Sequence, residues 1–207
     1  KVCDLKDGDS RATYKTSDLD MRTYKRIKMF VHAEGEYPEG DPNDLKDGEL
    51  SCFLRLGTDF TANYYEYEIS LKSTAHTATS PNDIWPSQNE IDIAFEIFQQ
   101  AKQDRNYNHA DVSLPYIKYT SGGKVTVVGN PNLAQVKTIM IGVRNPKKKS
   151  MEDSDDGMSK CGQIWVNELR LTGFDEQGGW AANSRLTARL ADFGNVTLSG
   201  NMSTIGF

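Results

Sequence analysis

The sequence predicts a mainly β fold: a β-sandwich carrying one amphipathic helix, with a C-terminal β-hairpin after it. Three observations point there. Short runs rich in β-branched and aromatic residues recur between long polar loops. One segment alone shows helical periodicity. The final stretch changes to a regular alternation of small apolar and polar residues.

The strands come first. Residues 26–33 (RIKMFVHA) set Ile27, Met29 and Val31 on one face and Phe30 on the other, the composition of a strand covered on both sides. Residues 50–56 (LSCFLRL) and 64–71 (YYEYEISL) are two more. The second alternates Tyr65, Tyr67, Ile69 and Leu71 against Glu66, Glu68 and Ser70, a half-buried pattern. The turn chemistry of GTDFTAN joins the pair as a hairpin. Further strands are expected at 112–118, 124–128, 137–144 and 163–171, with Gly122-Gly123 as a hairpin turn. The helix is expected from Ser87, which forms a capping-box pattern with Glu90, to about Asp104. Ile91, Ala94, Phe95, Phe98 and Ala101 make its apolar stripe. In the tail, Leu186, Ala188 and Leu190 alternate with Arg185, Thr187 and Arg189. After the turn ADFGN, Val196 and Leu198 alternate with Thr197, Ser199, Asn201 and Ser203. This dyad suits a barrel hairpin spanning an outer membrane, and equally a soluble hairpin edging the sandwich.

Composition narrows the function. Lys and Arg number 24 against 29 Asp and Glu, a formal net charge of −5, which argues against a nucleic-acid partner. No run of about 18 apolar residues marks a transmembrane helix, and no signal-peptide pattern opens the chain. The start at Lys1 without an initiator Met reads as a piece excised from something longer. Cys3, Cys52 and Cys161 allow one bridge, whose pairing the sequence leaves open. The loop NPKKKSMEDSDDGMSK balances its lysines with acids and reads as a solvated segment.

The sequence carries few marks of catalysis. There is no nucleophile elbow, phosphate loop, dinucleotide fingerprint or zinc-binding helix motif. His109-Ala110-Asp111 has no marked nucleophile as its partner, and no carboxylate pair stands out. No cofactor is expected beyond a structural calcium ion, and the chain reads as a non-enzyme. Two binding signals remain. Tyr64, Tyr65, Tyr67, Trp85 and Trp180 offer aromatic faces to a glycan, with Tyr64, Tyr65 and Trp85 the candidate glycan or partner contacts. Oxygen-rich clusters at 34–36, 41–44 and 152–156 offer calcium ligands, although Gln163 stands where an EF-hand loop needs its Glu.

The segment IWVNELRLTGFDEQGGWAANSRLTARLADFGNVTLSG, with NELRL, GGWAA and LADFG in order, resembles the SprA/Sov family of giant outer-membrane proteins of Bacteroidota gliding motility and type IX secretion. TYKRIKMFVHAEG, DGELSCFLRLGTDFTANYYEYEISL and VKTIMIGVRNP extend the resemblance over nearly the whole chain. It implies a soluble β-sandwich insert over residues 1–172, on the cell-surface or periplasmic side. Residues 173–207 then supply a linker and the hairpin re-entering a barrel wall. Implied partners are other type IX secretion components, secreted cargo, the rest of the barrel and, through the parent protein, the outer membrane. The strand order also resembles jelly-roll, galactose-binding-like sandwiches. That likeness implies a structural calcium site at Asn167 and Glu168 with Glu34 or Glu36, and a cell-surface carbohydrate-binding module as the alternative function.

Overall fold

The computed structural model describes residues 1–150, 156–174 and 180–203. The chain divides into two compact units, Lys1–Phe174 and Asp175–Phe207.

The first unit is a two-sheet antiparallel sandwich. Its smaller sheet contains β1 (Val2–Leu5), β10 (Lys160–Thr172), β3 (Arg26–Gly35) and β6 (Glu90–Ala94), in that spatial order. The larger contains β2 (Ser10–Leu19), β9 (Val136–Arg144), β4 (Ser51–Gly57), β5 (Tyr64–Ser70), β8 (Gly123–Val128) and β7 (Tyr116–Thr120). The strand pleat sorts the core. Ile27, Met29, Val31, Ala33, Ile91 and Ile93 point inward from the smaller sheet. Cys52, Leu54, Leu56, Tyr65, Tyr67, Ile69, Val125 and Val127 answer from the larger. After the short helix α1 (Pro81–Ile84), the helix α2 (Phe95–Tyr107) packs on β7 and β8 and adds Phe98 and Ala101.

The helix is shorter than its sequence pattern. Ser87–Asn89 is a single 3-10 turn, and Glu90–Ala94 is a strand paired with Arg26–Phe30 rather than the first turns of a helix. The segment EIDIA also alternates with period two, which the helical stripe leaves unused. Ile91 and Ile93 enter the core, while Asp92 meets Arg26 at 2.7 Å and Lys28 at 2.8 Å across the ladder. β-Branched packing and cross-strand charge pairing therefore outweigh the capping box. The strand expected at 112–118 begins only at Tyr116, because Pro115 precedes it and Asp111 ties Ser113 into a turn.

Two strands carry no signal in the sequence. β2 has no buried residue and exists by backbone pairing along β9, from Ser10 opposite Arg144 to Leu19 opposite Val136. β1 touches β10 at Val2–Gly162 and Leu5–Lys160, and a Cys3–Cys161 disulfide fastens that short ladder. Fully buried Asn145 adds hydrogen bonds to the Leu5 and Met158 carbonyls, both 2.9 Å. Cys52 stays a free, buried thiol whose pKa burial pushes up to about 12, so it is inert. Arg105 is fully buried without a carboxylate among its hydrogen-bond partners, donating to the Gly129 carbonyl and Asn106 Oδ1. It locks α2 to the segment that follows β8.

The disulfide closes a loop across 158 residues of sequence. Replacing Cys3 and Cys161 with Ser together is expected to cost about 2–4 kcal/mol. A lower denaturant midpoint checks this, with a steeper slope because the chain freed of its cross-link exposes more surface when unfolded, and a reductant should reproduce the loss in the parent chain.

Candidate functional site

Three surfaces carry the candidate groups, and among the described residues no nucleophile, base and orienting acid come together. His109 follows the end of α2 in a left-handed backbone conformation (φ 51°) and is exposed. Its neighbour Asp111 accepts from Ser113, at 2.7 Å from the hydroxyl. Among the described residues, no group of three or more His, Cys, Asp or Glu is placed to hold a metal ion.

The first surface is the hairpin of the second unit, β11 (Ala181–Leu190) and β12 (Gly194–Ser203). Register decides its character. Ala182 lies opposite Met202, Leu186 opposite Leu198, Ala188 opposite Val196 and Leu190 opposite Gly194, so one face of the ribbon is apolar apart from Ser184, opposite Gly200. The other pairs Asn183 with Asn201, Arg185 with Ser199, Thr187 with Thr197 and Arg189 with Asn195. Every described residue of the ribbon is exposed, Leu186 at 64% and Leu198 at 63%. Phe193 stands at the turn, 97% exposed, and Trp180 directly precedes β11. The apolar face therefore has an aromatic residue near each end. Phe193 was readable in ADFGN as an aromatic at the tip of an alternating pair.

The second surface is the outward face of the larger sheet. Tyr64 lies here, with Arg55 over its ring at 3.8 Å. Glu66 accepts two hydrogen bonds from Arg55, 2.9 and 2.6 Å, and one from Arg144 at 3.1 Å. Glu68 takes Arg144, Lys124 at 3.1 Å and the Ser51 hydroxyl at 2.7 Å. The half-buried pattern of β5 is thus buried on both faces, the two glutamate side chains being only 4% and 5% exposed. Carboxylates at such depth need partners, and three cations cover two anions. This closed network holds Tyr64 as part of the sheet surface. Tyr65 points the opposite way into the core, its hydroxyl 3.3 Å from the Pro131 carbonyl and its pKa raised to about 12 by burial.

The third surface is a cleft of about 680 Å³ between residues 72–78 and 82–88, with Trp85 in its wall. Buried His32 packs on Trp85 with ring centres 5.8 Å apart. His32 Nδ1 donates to the Ile84 carbonyl at 2.8 Å, since that oxygen can only accept. Tyr64, Tyr65 and Trp85 consequently occupy three different places and form no common platform.

Nor do the four expected calcium ligands converge. Glu34 faces Gln163 across the β3–β10 ladder, whereas Asn167 faces Phe30, four residues away. That separation is about 13 Å along the strand. Glu36 is taken by Lys1 at 2.6 Å, and Glu168, at a bulge with φ 54°, pairs with Arg170. Of the 152–156 cluster only Asp156 lies within the described residues, and it pairs with Lys160 at 2.8 Å. Of the 41–44 cluster, Asp44 faces His76 at 3.6 Å.

The family model SprA_N, described as motility related/secretion protein, matches residues 1–207, the whole chain. The chain belongs to this family. No curated protein matches it. The SprA_N description names motility and secretion, and no reaction. No described helix of this SprA_N chain is long and apolar enough to cross a membrane, which says nothing about crossing by strands.

One electrostatic latch is measurable. His76 presents Nδ1 to Glu34 at 3.0 Å and Nε2 to the Tyr37 carbonyl at 2.7 Å. Both partners only accept, so the protonated ring alone satisfies both. Partial burial opposes that charge, but the bonds to Glu34 and Tyr37, with Asp44 beside them, raise the His76 pKa overall. A raised folded-state pKa gives stability that is complete below about pH 6.5 and is lost as pH climbs through the folded value. The melting temperature of the parent chain should therefore fall more steeply than that of His76→Gln between about pH 6 and about pH 8, read by thermal scans at constant ionic strength.

Proposed function

We propose that this chain is a non-enzymatic part of the type IX secretion translocon in the outer membrane of Bacteroidota. In this reading the sandwich lies outside the bilayer, on the cell-surface or periplasmic side, where it shapes the pore or docks other secretion components and cargo. The hairpin belongs to the barrel wall. SprA_N membership supplies the secretion context. The observation that carries the rest is the two-faced ribbon.

A ribbon strand of ten residues is about 33 Å long and, tilted by about 40°, rises about 25 Å, the height of the apolar band of an outer-membrane barrel. Leu186, Leu198, Val196 and Met202 suit contact with lipid, and the Arg, Thr, Ser and Asn face suits a wet lumen. Trp180 and Phe193 fit the aromatic girdles at the two interfaces. The Cys3–Cys161 bridge adds compartmental support, since disulfides persist in the periplasm and at the cell surface and are rare in the cytosol.

The test compares Leu186→Arg with Thr187→Arg, adjacent residues on opposite faces, in the full-length parent protein. An arginine facing lipid near the midplane costs about 2–4 kcal/mol, while a lumen-facing one is tolerated. Leu186→Arg should deplete assembled barrel from outer membranes and reduce secretion, with Thr187→Arg near the parent level. Equal behaviour of the two variants would sink the placement.

A further inference from the structure

We propose that the cleft beside Trp85 is a binding site for a neutral saccharide. This goes beyond the translocon reading and does not rest on it. The wall of the cleft holds one indole. Around it stand Thr77, Asn82, Ser87 and Gln88, all exposed, whose side chains have no hydrogen-bond partner among the described residues. Two amides and two hydroxyls can each donate and accept, which is the complement of a sugar's ring of hydroxyls. The negative π-face of an indole receives the weakly positive C–H face of a pyranose.

Charge and shape favour this class over others. Lys72 and Asp83 are the charged side chains in the lining and they balance. Asp83 is moreover occupied by the Ser80 hydroxyl at 2.6 Å. An anionic ligand would find no excess of cations. Apart from Trp85, the apolar lining is only alanine and proline, so the cleft offers little apolar surface to an aliphatic side chain. Its volume lies within the about 300–1,000 Å³ usual for small-ligand sites.

The walls are also held in place, which lowers the ordering cost of binding. On one side, buried Asn89 acts as a substitute strand partner for Lys72. Its Oδ1 accepts from the Lys72 amide at 2.7 Å and its Nδ2 donates to the Lys72 carbonyl at 2.9 Å. The Ser73 amide donates to Asp47 at 2.8 Å and the Thr74 amide to the Ala33 carbonyl at 2.7 Å. On the other side, His32 fixes both the Trp85 ring and the Ile84 carbonyl before it. The groups left unpaired are the ones that line open space. An exposed cleft with one stacking ring binds weakly, so affinities in the millimolar range are expected.

The experiment uses the 207-residue chain, isotopically labelled, titrated with methyl β-glucoside, methyl β-galactoside and N,N′-diacetylchitobiose while amide and indole resonances are followed by NMR. At least one probe should give saturable shifts at the Trp85 indole and at the Asn82 and Gln88 side-chain amides. Trp85→Ala should abolish them. Because that change also removes the contact with His32, the deciding variant is Asn82→Ala with Gln88→Ala, both surface positions. It should keep the dispersed spectrum of a folded chain and weaken binding about tenfold. No saturable shift with any of the three probes would overturn the proposal. So would shifts located elsewhere, or an affinity unchanged in the double variant. None of these outcomes bears on the translocon reading, whose test lies in the hairpin.

Discussion

The double pairing of β3 is the contact on which the first unit depends. Along one edge it runs antiparallel to β10 from Arg26–Thr172 to Gly35–Gly162, and along the other to β6. Each neighbour carries a second part of the molecule. β10 brings Cys161 to Cys3 and so holds β1. β6 leads directly into α2, whose Phe98 and Ala101 complete the core. β3 itself fixes the cleft, since Ala33 accepts from Thr74 and His32 carries the Trp85 wall. A shift of one residue in this register would turn Ile27, Met29, Val31 and Ala33 out of the apolar core.

The two units answer the same question in opposite ways: what covers the far face of a sheet. In the sandwich, the outward face of the larger sheet is covered by its own side chains. Arg55, Arg144 and Lys124 lie over Glu66 and Glu68, and Phe53 sits beneath the two arginines. Ion pairs and cation–π contacts replace a second layer of apolar packing there. In the ribbon of β11 and β12 every described side chain is exposed instead. Its apolar face offers leucine, valine and methionine, and its hydrogen-bonding side chains, Ser184 apart, lie on the other.

How far the sequence revealed this depends on which force decided each element. The alternation of β5, the hairpin with β4 and the dyad of the tail were legible because one face of each differs in polarity from the other. β2 was illegible because its place is set by backbone hydrogen bonds to β9, and SRATYKTSDL presents no apolar face to read. The start of α2 was misread where two periods coincide. Ile91 and Ala94 satisfy a three-residue step, while Ile91 and Ile93 satisfy a two-residue step, and what decides between them is a distant strand: β3 buries both isoleucines and sets Arg26 and Lys28 against Asp92. The site residues fared similarly. Trp85 stood out as a large aromatic, but Asn82 and Gln88 acquire meaning only when 72–78 folds opposite them. The calcium set is implied by the likeness to jelly-roll modules, and the register sets Asn167 against Phe30 instead of Glu34.

The contrast between the units bears on why they occur in one chain. The sandwich satisfies itself. Its core is closed, its buried Lys160 has Glu49 and Asp156, and its N-terminal strand is covalently tied. A two-stranded ribbon with an open apolar face is marginal in water, because no third strand or second layer removes that face from solvent. Its backbone edges are likewise satisfied only by further strands, and closure into a barrel is the arrangement that does this within lipid. The sandwich thus closes on itself, while the ribbon leaves an apolar face and two backbone edges that its own strands cannot cover.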